Sequence, residues 1–230
     1  MKGSGRARES GQAYTEYALM LIFIALFVSS VLAVTGLDVS LTMCRVVVAL
    51  NSTQQCGHYF QDDFANLSGW NIISGAWQAA NGFLTGGPNE GRIFHNLSQS
   101  DYTINLKDVT LNQGNGYGVF FRASNTSAVN GYSFQYDPGY GSGGSFIMRK
   151  WVNGNELAPF AAVPAPAGFN WNQPNRQIQV VVKGNTFTAY VDGKKMVSGS
   201  DSTYPSGGIG LRTWDGTTFR TDNLTVDPAP

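Results

Sequence analysis

The chain has 230 residues, and its 15 Lys and Arg balance its 15 Asp and Glu, for a formal net charge of zero at pH 7. That balance leaves no electrostatic footprint for nucleic acid, so a nucleic-acid partner is not expected. Aromatic residues make up 13% and charged residues only 13%, with 28 glycines, which fits an exported β-rich domain with many tight turns.

Lys2, Arg6 and Arg8 stand against a single Glu9 ahead of a run from Tyr17 to Leu37 that holds no Lys, Arg, Asp or Glu. About 20 such residues give roughly 30 Å of helix, enough to cross a bilayer. The basic flank predicts that the short leader stays cytoplasmic and the remainder is exported. A secretory signal peptide has a shorter apolar stretch and ends in a small-residue cleavage site. A plain membrane anchor accounts for the length and the flanking charges but gives no reason for Gly11 and Glu16. An isolated carboxylate at the mouth of an apolar run is costly unless a partner pairs with it.

The run Gly11-Gln12-Ala13-Tyr14-Thr15-Glu16-Tyr17, continuing into Ala18-Leu19-Met20-Leu21-Ile22-Phe23-Ile24-Ala25, resembles the type IV prepilin signature in its Flp form, found in tight-adherence (Tad) systems. The resemblance implies that a prepilin peptidase cuts after Gly11 and that Gln12 becomes the new, methylated N-terminus. It makes Glu16 the fifth-position glutamate and Tyr17 its neighbour. Residues 1–11 are then the leader, and 12–50 a helix that spans the membrane before assembly and forms the filament core afterwards. The freed amine of Gln12 pairs with Glu16 of its own or a neighbouring subunit, offsetting the cost of burying both charges and fixing the axial register. Flp pilins are usually short and nearly all helix, whereas about 170 residues follow here; shaft subunit and minor or tip subunit both remain open.

Residues 51–58 read as a linker, with Asn51-Ser52-Thr53 ending the helix. Cys44 and Cys56 are close in sequence on the exported side. They are candidates for a disulfide between helix end and domain, or two separate thiols, since sequence does not give their Cα separation. Metal binding by this pair is not expected, because His58 and His95 are the only histidines and no ligand cluster surrounds them.

From Tyr59 the periodicity becomes two. Tyr102-Thr103-Ile104-Asn105-Leu106 and Gln177-Ile178-Gln179-Val180 alternate apolar and polar. Val152-Asn153-Gly154-Asn155 and Val191-Asp192-Gly193-Lys194 carry hairpin turn pairs between apolar runs. About twelve strands are expected by this pattern, with a turn-rich stretch from Pro138 to Gly144 and a Pro/Ala loop from Pro159 to Gly168. The expected fold class is α+β: the long N-terminal hydrophobic helix, then an antiparallel β-sandwich over 59–227.

Several stretches resemble the concanavalin-A-like lectin/glucanase jelly roll, in its laminin-G and keto-disaccharide-hydrolase-like branches. They are Asp62 to Phe64 (DDF), Gly116 to Arg122 (GYGVFFR), Gly131 to Asp137 (GYSFQYD), Ala189 to Lys194 (AYVDGK), Gly207 to Arg212 (GGIGLR) and Thr221 to Val226 (TDNLTV). They encode strands and hairpins, so they speak to fold rather than activity. In such sandwiches one sheet is concave and often binds sugar. Arg122, Gln135, Arg149 and Arg212, with Tyr136, Trp151 and Trp214 nearby, are the candidates for that face. Guanidinium forks bond vicinal hydroxyls or carboxylates, and indoles stack on pyranose faces.

Asp62, Asp63 and Asp222 sit near the first and last strands, whose ends pair in this fold, and are candidates for a structural Ca²⁺. No other cofactor is expected. Glycoside hydrolysis needs two suitably spaced carboxylates; the E-x-D-x-E strand of related glucanases is absent, and Asp137 with Glu156 or Asp215 is the remaining pair. A non-enzymatic protein is therefore expected. Five N-x-S/T sequons occur, at Asn51, Asn66, Asn96, Asn125 and Asn223.

The sequence reads as a pilin that passes through the cytoplasmic membrane, polymerises with its own kind, and displays a sandwich at the cell surface for adhesion and glycan binding. The alternative is a membrane-anchored carbohydrate-binding module that does not polymerise, and a third reading is a pilus-tethered glycan hydrolase. Mass spectrometry of the exported protein should find its N-terminus at Gln12, whereas an intact leader would favour the anchored module.

Overall fold

The computed structural model describes Met20 and residues 57–230. Gly11, Gln12, Glu16, Tyr17, Cys44, Cys56 and the predicted 12–50 helix (Met20 apart) lie outside the described residues. Among the described residues no helix is long and apolar enough to cross a membrane. The chain divides into two units, Met1–Gly57 and His58–Pro230.

The second unit, His58–Pro230, holds sixteen strands in two antiparallel sheets. One path of the nine-stranded sheet runs β13 (Lys194–Ser200), β12 (Thr186–Val191), β11 (Arg176–Lys183), β6 (Tyr102–Gln113), β15 (Thr218–Thr221), β4 (Phe83–Gly86) and β3 (Trp77–Ala80). On the edge of β6 that β15 shares, the first half pairs with β16 (Leu224–Pro228), which also holds β1 (Phe60–Asp62). The seven-stranded sheet runs β10 (Asn155–Pro164), β9 (Ser145–Val152), β8 (Gly131–Asp137), β7 (Tyr117–Ala123), β14 (Gly208–Thr213), β5 (Gly91–His95) and β2 (Asn71–Ser74). The surplus over twelve lies in strands of three or four residues such as β1 and β15, too short for a period of two to be read.

Alternation explains the core. Tyr102, Ile104 and Leu106 of β6, Ile178 and Val180 of β11, and Val119, Phe121 and Phe134 from the opposite sheet meet between the layers, each almost fully removed from water. Each such side chain contributes about 1.5–3 kcal/mol by leaving water. Tyr117 stacks between Tyr136 and Phe219, with ring centroids 4.9 Å apart in both directions. Tyr136 belongs to this core: its hydroxyl donates to the Trp171 carbonyl at 2.7 Å. Burial pushes its phenol up to about 12.

The two expected hairpins form. Asn153 and Gly154 join β9 to β10 at φ 49 and 78, and Asp192 and Gly193 join β12 to β13 at φ 50 and 74. Both residues of such a two-residue turn need positive φ, which Asn, Asp and Gly tolerate best. The expected loop from Pro159 to Gly168 is corrected over its first half: Pro159 through Pro164 belong to β10. This strand lies at a sheet edge, where a missing N–H costs no ladder bond, and its register shifts around Pro159.

Arg122 is likewise corrected. At φ 44 it interrupts the β7–β14 register, and its side chain turns away from any solvent-facing sheet surface. Its guanidinium donates to the carbonyls of Ser100, Gly184 and Tyr204 and to Asp101, tying three loops at one end of the sandwich. The residue is 3% exposed. The same end is held by Asp201, which accepts from the Tyr132 hydroxyl at 2.7 Å and from the Lys150 ammonium at 2.9 Å. Burial alone would raise the Asp201 carboxyl, but bonds from Thr203, Lys150 and Tyr132 outweigh it and hold the group well below the usual carboxylate range.

Both ties can be tested by substitution. Arg122→Ala should cost about 3–5 kcal/mol of unfolding free energy in urea titration, because it leaves buried acceptors without a donor; an unchanged midpoint would contradict the tie. Asp201 has a depressed folded pKa, so its contribution is present above its unfolded value of about 3.9 and is lost as pH falls through the folded one. The Tm deficit of Asp201→Asn should therefore be steady between about pH 7 and 5 and shrink below about pH 4.

Candidate functional site

The outward face of the seven-stranded sheet carries the residues that can do chemistry. Arg212 of β14 lies in register with Arg92 of β5 and Gly118 of β7, and Gly118 with Gln135 of β8. Two positions further along β8, Ser133 faces Arg149 of β9, and Trp151 of β9 faces Glu156 of β10. Their strand neighbours Leu211, Phe134 and Met148 point into the core, so by alternation these seven side chains share the opposite face.

That face is itself largely closed to water. Arg212 is 6% exposed, Gln135 1% and Trp151 3%. Buried polar groups must find partners, and these find each other. Arg212 Nη1 donates to Glu156 Oε2 at 2.9 Å and Nη2 donates to Glu90 Oε1 at 3.0 Å. Arg149 Nε donates to Gln135 Oε1 at 3.0 Å, and Nη1 donates to the Leu157 carbonyl at 2.9 Å. The Gln135 amide donates to Glu156 Oε1. The Arg212 guanidinium lies between two indoles, 4.8 Å from the Trp151 ring centroid and 5.1 Å from Trp214. The Trp151 N–H donates to Ser133 Oγ at 3.0 Å. Beside this network, Phe94, Phe120, Ala123, Val129 and Trp151 form a small apolar cluster.

A cleft of about 420 Å³ adjoins the network, lined by Glu90, Asn115, Asp137, Gly139, Tyr140, Trp214 and Asp215. Burial pushes the Asp137 carboxyl up, opposed by the Gly139 N–H and the Arg149 guanidinium and reinforced by the charge of Glu156. Tyr140 is 37% exposed, and the Arg149 guanidinium lies 5.4 Å from its ring centroid. Carboxylate and amide groups between a tyrosine and a tryptophan can hydrogen-bond hydroxyls while a ring covers an apolar face.

Of the residues expected on a sugar face, the fold brings together Gln135, Arg149, Trp151, Arg212 and Trp214. Arg122 sits instead in the loop junction at the end of the sandwich. Tyr136 faces the core because it follows Gln135 directly, and adjacent strand residues point to opposite faces. Glu90, Asn115 and Tyr140 escaped sequence reasoning, since all three sit in loops with no periodicity to place them. Glu156, weighed as a catalytic partner for Asp137, is held by Arg149, Arg212 and Gln135.

The expected pairing of first and last strands occurs, with Asp62 opposite Leu224. Asp62 spends its oxygens on the Phe64 N–H at 2.7 Å and the Trp70 indole N–H at 2.6 Å, and Asp63 accepts from the Ala65 N–H. Among the described residues no three His, Cys, Asp or Glu side chains gather as a metal site.

The chain is similar to the levanase of Bacillus subtilis, with 28% identity over 157 residues, covering 66% of this chain and 22% of that enzyme. It therefore spans about a fifth of that relative's length. Among solved structures it is similar to the carbohydrate-binding module CBM66 of Bacillus subtilis, at a TM-score of 0.59 and 24% identity, covering 70% of this chain and 97% of that one. A Bacillus subtilis protein with a galectin-like fold matches at a TM-score of 0.57 and 12% identity, covering 76% of this chain and 97% of that one. The carbohydrate recognition domain of Emp47p matches at 0.54 and 12% identity, covering 77% and 92%. These likenesses show the jelly-roll sandwich. The family profile matches residues 60–226, from the first strand to the last, and the chain belongs to the 3-keto-alpha-glucoside-1,2-lyase-like domain family.

Proposed function

We propose that the sandwich is a non-catalytic carbohydrate-binding module, displayed at the cell surface by an N-terminal segment that polymerises as a Tad/Flp-like type IV pilin. The observation that carries the binding role is the cleft between Tyr140 and Trp214, walled by Glu90, Asn115, Asp137 and Asp215. It offers hydrogen-bond acceptors, one amide donor and two aromatic rings, the combination a neutral sugar needs. The names of two similar structures, a carbohydrate-binding module and a carbohydrate recognition domain, support the same class of ligand. Family membership alone names a fold lineage rather than an activity.

Binding rather than hydrolysis is favoured by the state of Glu156. Both of its oxygens are engaged by two guanidinium groups and an amide, which hold it as an acceptor inside the network instead of presenting it to a glycosidic oxygen as a proton donor. Arg149 and Arg212 act on a ligand indirectly, by fixing Glu90, Trp214 and Tyr140.

The pilin role rests on Gly11, Gln12, Glu16 and Tyr17 and on the uncharged run that follows them. It gives the protein a prepilin peptidase as processing partner, the cytoplasmic membrane as its address before assembly, and copies of itself as partners afterwards. A second reading keeps the same module, matched by the family over residues 60–226, on a membrane anchor that never polymerises. Both place the cleft outside the cell.

A glycan array probed with the full exported chain should return neutral oligosaccharides. Tyr140→Ala and Trp214→Ala should each weaken the best of them roughly tenfold, about 1.4 kcal/mol. Tyr140→Ala should do so with an unchanged Tm, since its ring is partly exposed. Absence of any glycan hit, or affinity insensitive to both changes, would overturn the module.

A further inference from the structure

We infer that Glu90 sets the charge selectivity of the cleft by masking a buried guanidinium that would otherwise receive an acidic sugar. The inference rests on the carbohydrate-binding reading and adds the class of ligand that the cleft refuses.

Glu90 lines the cleft and Arg212 stands behind it. The Glu90 side chain is 50% exposed and that of Arg212 8%. Nη2 is committed to Glu90 Oε1 and Nη1 to Glu156 Oε2. Nε, also buried, has no partner among the described residues. Nε–H and an Nη–H form one planar edge of a guanidinium, the edge that accepts a carboxylate through two parallel bonds. Glu90 uses half of that edge and leaves the other half empty.

An incoming uronate therefore meets the carboxylates of Glu90, Asp137 and Asp215 on the cleft wall, like charges whose repulsion is screened only beyond a Debye length of about 8 Å. It finds no cationic fork there, since Arg149 is bound to Gln135 and the Leu157 carbonyl. A neutral sugar suffers no such penalty. Removing the Glu90 carboxylate reverses the situation. It uncovers Nη2 beside the unpartnered Nε and leaves a space shaped by a carboxylate, which a ligand carboxylate can refill.

The test uses the full chain in mild detergent, read by tryptophan indole N–H resonances during titration with methyl α-glucopyranoside or sodium glucuronate. Three proteins are compared: the parent, Glu90→Ala, and Asp63→Asn, which removes the same unit of charge outside the cleft. Glucuronate should leave the parent and Asp63→Asn unshifted and give Glu90→Ala a saturable response at least tenfold tighter. Equal glucuronate binding by the parent, no gain in Glu90→Ala, or an equal gain in Asp63→Asn would each overturn the mask. A gain confined to Glu90→Ala, with all three proteins silent to every neutral glycan, would uphold the mask and overturn the carbohydrate reading instead.

Discussion

A sheet covered on both faces cannot leave polar side chains to water, and the seven-stranded sheet of this sandwich is such a sheet. Its central strands, β7, β8 and β14, are buried almost from end to end, on the face against the other layer and on the face turned outward. An ordinary two-layer sandwich solvates its outer faces and shows clean alternation. Here the outward positions of the central strands hold Phe120, Ser133, Gln135 and Arg212, and the three polar side chains must find their partners within the protein. The ion-paired network is the consequence of that closure.

Arg212 is where most of the requirement is met. A guanidinium removed from water is costly unless its charge is neutralised and its N–H groups are bonded, and here Nε goes without a partner among the described residues. Glu156 and Glu90 neutralise it from two sides, while Trp151 and Trp214 cover its faces. The arrangement joins strands and loops far apart in the chain, since Glu90 and Arg212 are separated by 122 positions. It also decides what the neighbouring cleft presents: Glu90 and Trp214 belong to the network and to the cleft wall at once. Rigid placement of acceptors beside a ring costs little ordering when a sugar arrives. The site is in this sense a by-product of burying the sheet.

Much of this architecture was legible in the residues. The turn pairs Asn153-Gly154 and Asp192-Gly193 announce hairpins because few other residues accept their backbone angles. The alternating runs of β6 and β11 identify which side chains enter the core. Arg212, Arg149 and Gln135 were visible as polar residues on neighbouring strands, with Trp214 nearby. Other parts were hidden for identifiable reasons. Gln135 and Tyr136 were both placed on the sugar face although adjacency forbids it, and a single irregular backbone angle turned Arg122 away from that face. Glu90 lies in the Pro88-Asn89-Glu90-Gly91 loop, where nothing in the local pattern points to a guanidinium beyond a hundred positions further on. The commitment of both arginines to internal acids, which makes the cleft acceptor-rich instead of cationic, depends on three-dimensional neighbours alone.

Saccharide is received, on this reading, at the cleft beside the Arg212 network, on the seven-stranded side of the sandwich. Backbone chemical-shift mapping of the full chain, titrated with a saccharide taken from the array, tests this most directly. The largest shifts are expected to gather at Asn115, Gly139, Tyr140, Trp214 and Asp215. Shifts concentrated instead on the outer face of the nine-stranded sheet, around Asn105, Gln179 and Thr225, would contradict it.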